Sequence, residues 1–300
     1  MTTFILAVDH RNSLRGWLAS LGVRATDTTA TARRLKALCV DALAQARPQL
    51  QAEETPMLLL DEEYGVDAIP AARAQDLPIV IPVERSGQAE FIFEHGDDFG
   101  QAIDRTNPDA VKALVRYNPA GDAALNARSR AQLQRLQDAL RHTSRRFMLE
   151  LLVPPTAEQQ ATAGDRFDDD LRPQLTTEAI SQLARDGLRP DWWKLEGNNS
   201  PQAASIVATA AADTSQLGAL VLGRGQHRDS VLRWVQIAAA TGTFVGFAVG
   251  RTLWTDPFAA LLSGHADERE TVNRIAGAYL DVASAYRSAT PAQAGSDRDR

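Results

Sequence analysis

At 300 residues the chain exceeds a typical domain, yet an alternating strand-and-helix barrel takes roughly 250 residues as one folding unit, so length permits a single large domain. Apolar residues are 44% of the chain and charged residues 23%, which excludes global disorder. A net charge of −6 without a dense Lys/Arg block argues against a nucleic-acid partner, and no apolar stretch approaches the ~20 residues of a membrane span. The short apolar run at the N-terminus has no basic region before it, and the one cysteine, Cys39, has no partner for an intramolecular disulfide; a cytoplasmic location is expected.

Short apolar runs alternate with longer amphipathic ones from residue 4 to residue 285, the rhythm of βα units around a parallel sheet. In chain order the predicted strands cover 4–10, 57–64, 79–85, 110–117, 146–153, 192–197, 218–225 and 244–251. Eight such units predict a single (β/α)₈ barrel, an α/β fold. Helices are predicted over 27–46, 122–142, 177–187, 199–212, 229–240 and 267–286, with Asp122 and Thr177 as N-caps. Residues 154–176 are rich in Pro, Asp and Gly and too long for an ordinary βα loop; they read as a lid over the barrel mouth. The domain is expected to span 1–287, and 288–300, which lacks large apolar side chains, to be disordered.

Polar residues gather at the carboxyl ends of these strands, the functional face of a barrel. Side-chain alternation puts Lys112 on one face with Leu114 and Arg116, Glu150 with Met148 and Leu152, and Lys194 with Trp192 and Glu196. Of 32 basic residues only Lys36, Lys112 and Lys194 are lysines. Arginine cannot attack a carbonyl as a neutral amine can, so a lysine kept inside a strand is a suspect nucleophile. Indole from Trp192 and Trp193, with Lys112 across the barrel, is expected to depress the basicity of Lys194. A strand lysine beside a glutamate is also often a plain buried ion pair. For Lys112 three roles stay open: holding a substrate oxygen, tuning Lys194, or pairing with Glu150.

Two Gly-Arg turns, LGRGQ and VGRTLW, end strands seven and eight, where barrels often bind phosphate. Gly223, Gly225 and Gly250 would let backbone approach an oxyanion, and Arg224 and Arg251 supply forked donors. Asp9, His10 and Arg11 form a weaker acid/base trio. His95, His142, His227 and His265 fit no metal-ligand spacing, and Asp168, Asp169 and Asp170 read as a solvated acidic loop.

The segments LAVDHR, LLLDEEYG, VERSGQ, VKALVRYNPAGD, FMLELLVP, GDRFDDDLRPQLT, WWKLEG, VLGRG and FVGFAVGRTLW together resemble the aldolase-like C-terminal domain of bacterial 5-dehydro-2-deoxygluconokinases, the 2-deoxy-5-keto-gluconate 6-phosphate aldolase type. More distantly the chain is similar to class I tagatose-bisphosphate and sulfofructose-phosphate aldolases. The resemblance implies a metal-independent aldolase in which Lys194 forms a Schiff base, Glu150 is acid/base, Lys112 and Asp9 position substrate oxygens, and Gly250 with Arg251 binds the phosphate or sulfonate end, with Arg224 a further carry-over; Gly223, His10 and Glu62, at the strand ends, are expected to complete the substrate- and phosphate-binding set. Asn12 departs from the pattern, standing where a glycine is expected after Asp9-His10-Arg11.

The expected function is therefore cleavage or formation of a carbon–carbon bond in a phosphorylated or sulfonated keto sugar, with no cofactor and no metal. The expected partner is the small sugar-phosphate substrate, with no nucleic acid or membrane partner; a homo-oligomer is compatible with this. Two rivals are a metal-dependent lyase or isomerase built on Asp61, Glu62, Glu84, Glu150 and Glu196, and a barrel that binds a sugar phosphate without turning it over.

Overall fold

The computed structural model describes residues 2–291. Its eight strands are β1 (Thr2–Ala7), β2 (Glu54–Leu59), β3 (Ile79–Pro82), β4 (Ala110–Arg116), β5 (Arg146–Leu152), β6 (Trp192–Glu196), β7 (Gly218–Leu222) and β8 (Phe244–Val249). They pair in parallel in sequence order and close, β8 on β1, making a (β/α)₈ barrel. The helices α1 (Asn12–Ser20) and α2 (Thr28–Ala46) follow β1, and α3 (Ala68–Ala74), α4 (Phe99–Thr106) and α5 (Ala123–Leu140) follow the next three strands. After β5 come α6 (Ala157–Ala163), α7 (Phe167–Asp170) and α8 (Arg172–Arg185). The ring is completed by α9 (Pro201–Ala212), α10 (Arg228–Ala240), α11 (Arg251–Leu262) and α12 (Glu268–Ala289). No helix among the described residues is long and apolar enough to cross a membrane.

Alternation along the strands separates two cores. Outward residues such as Trp193, Leu195 and Phe247 pack against the helices, while Ile5, Met57, Val80, Met148, Trp192 and Leu220 fill the interior. Complete burial of one such side chain contributes about 1.5–3 kcal/mol. The interior turns from apolar to charged toward the strand ends: Trp192 gives way to Lys194 and Met148 to Glu150, and the register sets Lys194 opposite Glu150. The last helix fastens the closure. Tyr279 and Tyr286 donate to the carbonyls of Phe4 (3.0 Å) and Phe244 (2.7 Å), and Arg287 pairs with Glu54.

Each predicted strand is present, ending one to three residues earlier where the chain leaves the ladder, except 57–64, which starts at Glu54 and ends at Leu59. Asp122 caps α5, accepting from the amides of Ala124 and Leu125. Thr177 is no cap: α8 begins at Arg172, with Pro173 preset for the first turn, and the Thr177 hydroxyl donates back to the Pro173 carbonyl at 3.1 Å. The 154–176 excursion is helical, opened by a capping box between Thr156 and Gln159. The final helix runs to Ala289, past the boundary predicted at 287; 292–300 lie outside the described residues.

Candidate active site

A cavity of about 800 Å³ opens at the carboxyl ends of the strands. Asp9, Lys112, Glu150 and Lys194 line its floor; Arg224 and Arg251 line one wall, and Pro154, Gln160, Phe167 and Asp168 of the excursion another. Part of the 154–176 excursion thus lines the cavity.

The floor is a charge network. Glu150 Oε2 lies 2.9 Å from Lys194 Nζ and 3.1 Å from Lys112 Nζ, so two ammoniums share one carboxylate oxygen. Lys112 also donates to Asp9 Oδ2 and Glu84 Oε1, each at 2.7 Å. All three acceptors of Lys112 are carboxylates, and both lysines are at least 94% buried in their side chains. Charges buried to this degree persist only when paired. Burial alone would lower the Lys112 pKa, but Asp9, Glu150 and Glu84 outweigh it and hold it well above the ordinary value. Burial likewise works to raise Asp9 and Glu150; Lys112 and Lys194 overcome it and keep both carboxyls below their usual range. Glu84 goes the other way: burial pushes it up, against Lys112 and Arg11. Burial brings His10 down to about 4 despite Asp9, with Arg251, Lys194 and Lys36 acting in the same sense, so His10 is neutral at pH 7.

At the other side of the cavity the β7 and β8 turns meet. Arg224 adopts φ 51° and Gly225 φ 68°, two successive residues in the left-handed region that favours glycine. The non-glycine member is strained, as residues at functional sites often are. Helix α11 starts at Arg251, and its first two side chains reach the same turn, Thr252 donating to the Gln226 carbonyl at 2.9 Å. Arg251 donates to the Arg224 carbonyl at 3.0 Å. A side chain at Gly250 would place Cβ 2.2 Å from the Ala7 carbonyl oxygen and 2.9 Å from the His10 ring; closure of β8 on β1 requires glycine there before any ligand does.

Lys194, Glu150, Lys112, Asp9, His10, Gly223, Arg224, Gly250 and Arg251 all line one cavity. Glu62 does not. The chain leaves the ladder after Leu59, and the Glu62 carboxylate turns to His95 (2.8 Å) and Arg105 (3.2 Å) away from the mouth. Asp61 faces outward to Lys36, and Glu196 is held by Arg224 at 3.0 Å and Arg172 at 3.5 Å. The five carboxylates of the metal-dependent rival therefore do not converge, and no cluster of three His, Cys, Asp or Glu side chains among the described residues suits a metal ion. Trp193 also departs from expectation. Its ring packs outside the barrel and donates to Thr214 at 3.0 Å, leaving Trp192 as the indole on the Lys194 side. Asp168 is no solvated loop residue: it bridges Arg172 and Arg224, and Asp169 accepts from Asn199. Asn12, the first residue of α1, donates to the Ser86 carbonyl at 3.1 Å and so ties the start of α1 to the loop after β3.

Glu84, named in the sequence only for the metal-dependent rival, is a member of the lysine–carboxylate network. Its signal was present in VERSGQ at the end of β3, but only the folded barrel shows that its two oxygens take Lys112 and the Leu114 amide. Arg172 was hidden because its helix was predicted to start later.

Fold and site together define a (β/α)₈ barrel with a lysine–carboxylate floor and an arginine-bearing turn at β7 and β8. The chain belongs to the family described as "Uncharacterized protein conserved in bacteria (DUF2090)", whose profile matches residues 1–290. It is 24% identical over 223 residues to tagatose 1,6-diphosphate aldolase 1 of Enterococcus faecalis, covering 68% of each chain. Its fold is similar to that of fructose-bisphosphate aldolase from Plasmodium falciparum, co-crystallised with TRAP and a small-molecule inhibitor: TM-score 0.70 at 12% identity, over 96% of this chain and 91% of that one.

Proposed function

We propose that the protein is a Schiff-base aldolase acting on a phosphorylated or sulfonated keto sugar. The observation that carries this reading is the Glu150 carboxylate 2.9 Å from Lys194 Nζ at the floor of an open cavity. Likeness to an enzyme named a tagatose 1,6-diphosphate aldolase supports the same class, as does the resemblance to the aldolase-like domain of 5-dehydro-2-deoxygluconokinases.

Glu150 accepts a proton from the Lys194 ammonium, and the freed amine adds to the substrate ketone; Glu150 returns that proton to the carbinolamine hydroxyl, which leaves as water to give the iminium and restores the carboxylate. The carboxylate then takes the proton of the hydroxyl one carbon beyond the scissile bond. That bond breaks, its electron pair moves into the iminium to form an enamine, and an aldehyde departs. Protonation of the enamine carbon and hydrolysis release the second product and restore Lys194. Lys112, fixed as a cation by three carboxylates, and Asp9 orient substrate oxygens. Neutral His10 offers a ring nitrogen beside them. The anionic end of the substrate rests on the α11 amino terminus, the β7 turn and Arg251, while α6 and α7 limit water at the enamine.

The test is a panel of phosphoketoses, including tagatose 1,6-bisphosphate, assayed for aldehyde release with and without chelator. Chelator-insensitive cleavage by the wild type, reduced at least about 10⁴-fold in Lys194→Met, is expected. Undiminished cleavage by that variant contradicts the proposal.

A further inference from the structure

All three lysines are buried, and the third is outside the barrel floor. Lys36, on α2, is 1% exposed, yet its ammonium is fully occupied. It donates to the carbonyls of Val8 (2.6 Å) and His10 (3.2 Å) and to Asp61 Oδ2. Asp61 is itself completely buried, and its other oxygen accepts from the Tyr64 amide at 2.8 Å. The two carbonyls flank Asp9, whose carboxylate points the opposite way, into the cavity and onto Lys112.

We propose that Lys36 is a positioning residue that fixes Asp9 in the site by clamping the carbonyls on either side of it, with Asp61 anchoring the clamp to the β2 turn. Three features carry this. Asp9 lies beyond the last β1 residue, Ala7, so no ladder register fixes its direction. One ammonium reaches both neighbours of Asp9 from the back, leaving the residue between them to turn forward. Three acceptors around one nitrogen suit the three rotatable donors of an ammonium and not the planar fork of guanidinium, which accounts for a lysine at this place in a chain whose other basic residues, Lys112 and Lys194 apart, are arginines. A buried pair kept only for stability is replaceable by apolar residues; one kept to aim a backbone is not.

The catalytic consequence rests on the imine reading; the clamp itself does not. Lys36→Arg, Lys36→Met and Lys36→Met with Asp61→Leu are to be compared with the wild type. The double variant removes both buried charges, so it folds where the single methionine variant strands an aspartate. Amide hydrogen exchange over residues 8–11 gives the first readout. Imine-dependent exchange of the carbon-bound hydrogens of dihydroxyacetone phosphate with D₂O at saturating concentration gives the second. The clamp predicts at least tenfold faster amide exchange at 8–11 in folded variants with β4–β6 unchanged, and at least a tenfold lower maximal rate of substrate hydrogen exchange with a changed pH profile. Wild-type amide protection in the folded double variant, or an undiminished maximal rate, overturns it. If the wild type does not exchange the hydrogens of dihydroxyacetone phosphate, the aldolase reading has failed, and the amide data alone decide for or against the clamp.

Discussion

Glu150 carries two burdens at once: it holds Lys194 and Lys112 together across their mutual repulsion, and it is the nearest base to the amine. Glu150→Gln keeps the shape and loses the charge. The predicted result is a kcat lowered about 10²- to 10⁴-fold with borohydride labelling of Lys194 slowed as well, since Glu150 also frees the amine; unchanged kcat would remove Glu150 from the proton transfers. His10 makes a prediction about stability. Its pKa falls from 6.5 to about 4 on folding, chiefly through burial, so between those values the unfolded chain binds the extra proton. Stability therefore rises with pH across pH 4 to 6.5 and is lost as pH falls through that window. His10→Gln should flatten this limb by up to about 1.4 kcal/mol per pH unit, read by denaturant titration at stepped pH; an unaltered slope would show that His10 is not the group. Lys194, Glu150 and Lys112 were legible in the sequence because alternation along a strand fixes their face. Glu62 was misread because the strand predicted to Tyr64 ends at Leu59, and beyond a ladder alternation has no meaning.

Elements are where charge patterns become mechanics. The α6–α7 segment carries no strand register, and what ties α7 to the barrel is Asp168, which bridges Arg224 of the β7 turn and Arg172 at the head of α8. Glu196 grips the same two arginines from below. This four-charge ring connects the β7 turn to α7 and the head of α8. Asp168 is 43% exposed, so its pairing contributes about 1 kcal/mol, roughly fivefold in a local opening equilibrium. Asp168→Asn should accordingly raise proteolytic nicking within 157–171 about fivefold, and a sugar phosphate that draws Arg224 toward itself should raise it in the wild type as well. Equal nicking in variant and wild type would show that the ring is not the latch. The run of three aspartates was readable as acidic, but not as paired, since its partners lie on two other elements; Arg172 is four residues from Asp168, and Arg224 is fifty-six. Helix α11 escaped prediction for a related reason: Pro257 lies inside it and its polar face is short, so pattern alone gave no boundary.

The whole molecule was the most legible level. Eight apolar runs at regular spacing impose a parallel sheet, and right-handed crossovers close it; no individual residue decides that outcome. What spacing could not give is convergence. Residues 9, 84, 112, 150 and 194 are distant in sequence, and only strand tilt in the closed barrel brings their charges onto one floor. The same closure separates the acidic residues that might have formed a metal ring, sending Asp61 outward to Lys36 and Glu62 to His95 and Arg105. On the Schiff-base reading the Lys194 amine meets a substrate ketone inside this cavity. Incubation with dihydroxyacetone phosphate and borohydride, followed by peptide mass spectrometry, tests it most directly. A single reduced adduct on the peptide containing Lys194 is expected, absent without the ketone and absent in Lys194→Met. An adduct on Lys112 or Lys36 instead, or none under conditions where the enzyme turns over a phosphoketose, contradicts it.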